Sequence, residues 1–215
     1  MREPFEAESG DIRTGAHISN SVSNADAARH RWFTIKEAFS SSILDNALTE
    51  HGADASTTVL DPFSGSGTTA VAAAMRGISC YSIEVNPFLE FVARAKLTSA
   101  SPLEIERATH RIADEMKAGR KSPLEGFSTF SKKKGAKKWL FNTSVLRAFE
   151  AGRIAASSLN ADLKKLTTLA LLDAAMKCCN ARADGKCLRY SKDWKTTNYG
   201  ANDLVEAFVA KLGQI

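Results

Sequence analysis

The sequence predicts an α/β fold with an incomplete parallel sheet, joined to a mainly helical region. Two observations carry this. First, two apolar, β-branched runs each end on an acid, at Asp61 and Glu84, with a glycine-rich turn and a small-residue helix pattern between them. Second, only those two runs read as good strands, whereas an open α/β sheet usually has about five or six. Helix-period patterns dominate the rest of the chain.

In chain order, residues 1–29 are polar and lack the apolar segment of a signal peptide, so they read as a flexible leader. Residues 30–100 form the α/β part. In it, Thr34 to Gly52 carries apolar residues at helical spacing (Ile35, Phe39, Ile43, Leu44, Leu48) and predicts one long helix. "TTVLD" predicts a strand over Thr57–Leu60 that ends at Asp61, "TTAVAAAMRG" a helix stopped by Gly77, and "ISCYSIEV" a second strand holding Cys80 as a buried thiol. Asn86 caps the next helix, with Pro87 at its first position.

Residues 101–215 read as a mainly helical insertion or appendage. Ser101-Pro102-Leu103-Glu104 is a capping box that opens a helix to about Lys117. Further helices are expected near Thr143–Leu159, Asp162–Ala183 and Leu204–Leu212. A weak strand is expected around Cys187–Tyr190.

The chain has 215 residues, 44% hydrophobic and 25% charged, as in ordinary globular proteins. No apolar run is long enough to span a bilayer, and the expected location is the cytoplasm. The formal net charge of +5 tilts modestly toward a polyanionic partner. Adjacent Cys178 and Cys179 lack a second pair or a nearby histidine, so no metal site is expected.

The stretch between the two acids is the informative one. Strand, glycine-rich turn, helix, strand and acid make half of a nucleotide-binding βαβ unit. "GSGTTA" fits the loose G-x-G-x-x-G/A pattern through Gly65 and Gly67, and Glu84 follows about 20 positions later, where a carboxylate can accept both hydroxyls of a ribose. No lysine follows the glycines, which excludes a Walker loop. Asp61 at the lip of the turn would repel a pyrophosphate but suits the cationic end of S-adenosylmethionine.

"VLDPFSGSGTTAVAAAMRG" followed by "YSIEVNPF" resembles motifs I and II of the amino-methylating DNA methyltransferases, which act on adenine N6 or cytosine N4. "RHRWFTIKEAFSSSILDNAL" is similar to that family's motif X, which completes the methionine side of the pocket. The resemblance implies a Rossmann-like class I methyltransferase fold, S-adenosyl-L-methionine as cofactor, DNA as substrate and a restriction–modification setting. It implies cofactor contacts at Asp61, Phe63, Gly65, Gly67, Thr68, Glu84, Val85 and Asn86. His30 and Trp32 read as pocket-wall or structural residues.

The family's second signature, D-P-P-Y or a relative, holds the target amino group and stacks on the flipped base. It is absent from this chain, so no catalytic residue is assigned. The expectation is a cofactor-binding portion that is inactive alone and needs a downstream segment or second chain. In "SKKKGAKKWLF", Lys132, Lys133, Lys134, Lys137 and Lys138 beside Trp139 are candidate phosphate contacts. The alternatives are an RNA base methyltransferase, a non-catalytic S-adenosylmethionine-binding subunit of a split enzyme and, more distantly, a nicotinamide-dependent dehydrogenase.

Overall fold

The computed structural model describes residues 24–35, 38–183, 187–196 and 198–215. Most of the expected leader therefore lies outside the described residues. Among the described residues the chain is a mixed α/β structure with two small sheets and mostly helices.

Helix α1 (Ser41–Glu50) leads into strand β1 (Thr58–Asp61), helix α2 (Thr68–Met75) and strand β2 (Ser79–Ser82). The two strands pair in parallel, with Thr58 opposite Ser79 and Asp61 opposite Ser82. Side chains alternate across a strand. Val59 and Cys80 therefore share one face, which packs on Leu44, Leu48, Ala73 and Ile78 of α1, α2 and the α2–β2 turn. Leu60 and Tyr81 share the other face and are 65% and 70% exposed. Among the described residues neither strand has a second neighbour, so this sheet has two open edges and one bare apolar face.

Helix α2 is buried nearly all round, from Thr68 to Ala73. Its small side chains let it lie close to the sheet on one side and to helix α3 (Pro87–Leu97) on the other. Asn86 caps α3 as expected, its Oδ1 accepting from the Phe88 N–H at 2.9 Å. At the far end, the Arg29 guanidinium donates to the Lys96 and Thr98 carbonyls at 2.7 and 2.9 Å and lies over the Trp32 ring. It thereby straps the 3-10 turn His30–Trp32 to the end of α3.

The remaining helices are α4 (Pro102–Ala118), α5 (Thr143–Ser157), α6 (Ala161–Lys177) and α7 (Ala201–Leu212). They share one core, with Ile112, Met116, Val145, Leu171, Leu204 and Phe208 fully or almost fully buried. The Ser101–Glu104 capping box forms as the sequence predicts. Gly152 sets the approach of α5, since a Cβ there would lie 2.9 Å from Met116 and 3.2 Å from Leu171. The α/β part joins this bundle through α3, where Val92 and Ala95 pack on Leu166 and Leu169 of α6.

Four sequence expectations change. The helix expected over residues 34–52 starts only at Ser41. The Asn24 amide bonds the Phe39 carbonyl and the Ser41 N–H, and the Ser40 hydroxyl accepts from the Ser42 N–H, so these backbone groups are already engaged. The helix expected to Ala183 ends at Lys177. Asn180 is drawn to the 131–141 loop, donating to the Leu140 and Trp139 carbonyls. The chain then forms β3 (Ala181–Ala183), antiparallel to β4 (Leu188–Tyr190), so the weak strand around Cys187–Tyr190 belongs to a separate hairpin. Cys80 is half-buried rather than buried, because its strand lies at an open edge.

Among the described residues no helix is long and apolar enough to cross a membrane. Cys178 and Cys179 are both buried, and burial pushes the Cys178 thiol up to about 11, which makes it inert. Helix α7 offers a clean test of the bundle core. Phe208→Ala should cost about 3–5 kcal/mol in urea unfolding, while Val209→Ala, on the exposed side of the same helix, should cost less than about 1 kcal/mol.

Candidate functional site

The site lies at the carboxyl ends of β1 and β2, where ligands bind in open parallel sheets. The chain leaves β1 at Asp61 and turns through Pro62 to Ser66 into α2. Three backbone bonds tie this loop to the end of β2 or close it: Ile83 N–H to Asp61 carbonyl at 2.9 Å, Ser64 N–H to Ile83 carbonyl at 3.0 Å, and Gly67 N–H to Ser64 carbonyl at 2.8 Å.

Both glycines sit at positive φ, 50° at Gly65 and 82° at Gly67. Gly67 has a second reason to be glycine, since a Cβ there would lie 2.7 Å from the Ala93 Cβ on α3. Gly67 is also the N-cap of α2, and no side chain caps that end. The first-turn N–H groups and the positive end of the helix dipole therefore face the loop.

Glu84 is half-buried and makes two short bonds. Its Oε2 accepts from the Gly65 N–H at 2.8 Å and its Oε1 from the Asn86 N–H at 2.7 Å. One carboxylate thus joins the glycine loop to the start of α3. Each oxygen keeps a lone pair for a further donor. Asp61 Oδ1 accepts from the Phe63 N–H at 3.0 Å, which fixes the turn, and its other oxygen has no protein partner among the described residues. Phe63 and Val85 flank the glycine loop and are 89% and 94% exposed.

The structure therefore brings Asp61, Phe63, Gly65, Gly67, Thr68, Glu84, Val85 and Asn86 together around one loop. Asn86 spends its side chain on the cap of α3, and Thr68 is buried in the first turn of α2. Lys132, Lys133, Lys134, Lys137 and Lys138 belong to a loop of the helical region and are not among these residues.

A narrow crevice runs from the glycine loop to the N-terminal segment. It is lined by Asn24, His30, Phe33, Ser66 and Lys96, among others. His30 is a wall residue, as the sequence suggests, and its Nδ1 is buried without a partner among the described residues. Lys96 is a wall residue that sequence reasoning missed. It falls on the buried side of α3, and burial pulls its ammonium down to about 8. The only sequence signal for it is its place four residues after Val92 on an otherwise apolar stripe.

Comparison with known proteins agrees with this geometry. Residues 33–94 match the sequence profile of the N6/N4 DNA methylase family. A 91-residue stretch is 35% identical to the type II methyltransferase M.BsoBI of Geobacillus stearothermophilus, covering 41% of this chain and 18% of that protein. A 64-residue stretch is 38% identical to the type II methyltransferase M.AvaI of Nostoc sp. and to that of Anabaena variabilis, covering 30% of this chain and 13% of each relative. The match thus spans less than a fifth of these relatives' length. No solved structure matches the chain. Over residues 33–94, the chain is similar to the amino-methylating DNA methyltransferases.

Two predictions follow from this geometry. Gly67→Ala must adopt a left-handed φ and displace Ala93, so it should cost about 3 kcal/mol or more. Gly52→Ala, also at positive φ but with open space around it, should cost only about 1 kcal/mol in the same urea titration.

The second concerns pH. Burial, reinforced by the charge of Lys96, lowers His30 from 6.5 to about 4. The unfolded chain then takes up a proton before the folded one does. The stability from neutral His30 is complete above about pH 6.5 and is lost as pH falls toward 4, up to about 3 kcal/mol. His30→Asn should flatten that part of the pH–stability curve, measured as the wild-type minus variant difference.

Proposed function

We propose that this chain is the S-adenosyl-L-methionine-binding portion of a DNA methyltransferase that modifies an exocyclic base nitrogen, adenine N6 or cytosine N4. The observation that carries this is Glu84, held at the end of β2 with spare acceptor capacity beside an uncapped helix N-terminus and two exposed apolar side chains. Its coarse fold, a βαβ unit with the loop at the carboxyl ends of the strands, supports a Rossmann-like class I methyltransferase arrangement.

The residues suit this cofactor. Glu84 would accept the ribose hydroxyls. Phe63 and Val85, exposed on either side of the loop, would cover the faces of the adenine ring. Gly65, Gly67 and Thr68 let the ligand approach the backbone, and Asn86 shapes the rim by fixing the start of α3. The free oxygen of Asp61 would face the ammonium or sulfonium end, and the His30–Lys96 crevice adjoins the methionine side. The cofactor supplies an electrophilic methyl group.

Transfer needs groups that engage the target amine, and this chain has no D-P-P-Y-like segment. We infer that they come from a further segment or a second chain. The bare sheet face of Leu60 and Tyr81 and the two open strand edges support such a complement. The type II methyltransferase relatives support a restriction–modification setting.

Calorimetry with the 215-residue chain tests the cofactor. S-adenosylmethionine and S-adenosylhomocysteine should bind, and NAD much more weakly; equal or tighter NAD binding would refute the assignment. Phe63→Ala should leave the unfolding midpoint unchanged and weaken S-adenosylmethionine binding about tenfold. Glu84→Ala should weaken binding by a similar factor or more and also lower stability by about 1–3 kcal/mol, because the Gly65 and Asn86 N–H groups lose their acceptor.

A further inference from the structure

We propose that the helical region carries a docking surface for the DNA backbone, built from the 131–141 loop and the segment that follows β4. Choosing duplex DNA as the polyanion rests on the reading of the chain as part of a DNA methyltransferase. The surface itself rests on a separate observation, and it lies outside the segment that matches the methylase family.

That observation is an aromatic cluster that gathers lysines from distant parts of the sequence. Trp139 meets Trp194 edge-on at 4.8 Å between ring centres, and Trp194 meets Tyr190 at 5.5 Å. On these three rings sit three ammonium groups: Lys132 at 5.3 Å from Trp139, Lys138 at 5.2 Å from Tyr190, and Lys195 at 5.9 Å from Trp194. Lys195 lies more than fifty residues from the loop in sequence, so the composition of the loop alone does not reveal the surface.

The cluster is anchored. The Asn180 N–H donates to the Leu140 carbonyl at 2.7 Å and its side chain to the Trp139 carbonyl at 3.1 Å. Asn142 accepts from the Trp139 indole at 2.9 Å and donates to the Tyr199 carbonyl at 2.8 Å. These bonds lock the loop to the start of β3 and to the turn before α7.

A solvated lysine loop would leave its charges spread and independent. Here three ammonium groups are held on one aromatic platform, where a ring attracts a cation without neutralising it. None of the three forms an ion pair among the described residues. Lys133, Lys134 and Lys137 add exposed charge at the tip of the same loop. Fixed, unneutralised cations suit a phosphate backbone, because binding then releases counterions at little cost in side-chain ordering.

The test is fluorescence anisotropy of a labelled random-sequence DNA duplex with the full 215-residue chain over a range of sodium chloride concentrations. Wild type should bind with a negative slope of log affinity against log salt. Each phosphate contact removed should reduce that slope by about 0.9. Lys195→Ala alone should reduce it by about one, and Lys132→Ala/Lys138→Ala/Lys195→Ala by about three, with unchanged circular dichroism. Lys164→Ala, an exposed lysine on α6, should leave it unchanged. The surface is overturned if wild type does not bind the duplex, if the triple variant keeps the wild-type slope, if Lys164→Ala lowers the slope as much as Lys195→Ala, or if an RNA of equal length binds more tightly than the duplex. Calorimetry on the same triple variant separates this from the cofactor reading: retained S-adenosylmethionine binding with lost DNA binding localises the defect to the surface. DNA binding by a wild-type chain that ignores S-adenosylmethionine would refute the cofactor reading and leave the surface standing.

Discussion

The α/β part depends on one carboxylate. Two parallel strands joined by an eight-residue helix are a weak unit, since neither strand has a second neighbour among the described residues. Glu84 ties the unit together at the strand ends, bonding the glycine loop through Gly65 and the start of α3 through Asn86. Charge-assisted bonds to backbone N–H groups are roughly twice as strong as neutral ones. They also keep the carboxylate half-buried and oriented before any ligand arrives. The carboxylate proposed to hold a ribose is thus also the one that shapes the loop around it.

That closure fixes the position of α3, and α3 carries the rest. On one side Ala93 lies so close to Gly67 that no Cβ fits between them. On another, Val92 and Ala95 seat against Leu166 and Leu169 of the bundle. Its last turn is gripped by Arg29, and the buried Lys96 on the same turn faces the crevice that opens from the glycine loop. Loop, helix and bundle therefore form one chain of contacts, from the exposed rim at Phe63 and Val85 to Phe208 in the far core. The N-terminal segment is held to the bundle by a further contact, from the Lys211 ammonium to the Arg31 carbonyl and to Asp173.

Much of this was legible in the sequence where local chemistry decides. Asn86-Pro87 and Ser101-Pro102 announce helix starts because a cap and a proline act within one turn. Gly65 and Gly67 announce the loop because its turn needs left-handed backbone. The misreadings fall where a distant group wins. Asn24 takes the backbone that would have extended α1 backwards, and Asn180 pulls the chain out of α6 toward a loop forty residues earlier. Lys96 escaped notice because a lysine on a helix usually faces water, and only the fold shows this one turned inward. The two bonds of Glu84, to the Gly65 and Asn86 N–H groups, are equally a matter of geometry that spacing does not encode.

The two halves of the molecule treat charge in opposite ways, and this bears on how they would cooperate. At the strand ends, Asp61 and Glu84 are held by backbone N–H groups rather than by lysine or arginine. A cationic ligand is therefore not competing with a resident salt bridge. In the helical region Lys132, Lys138 and Lys195 rest on aromatic rings rather than on acids, so the proposed polyanion likewise would meet no resident competitor at these three. Other charges are paired, such as Arg147 with Glu125 and Arg153 with Glu150. On the proposed reading, a cationic cofactor and an anionic backbone would each meet charges that no resident ion pair neutralises.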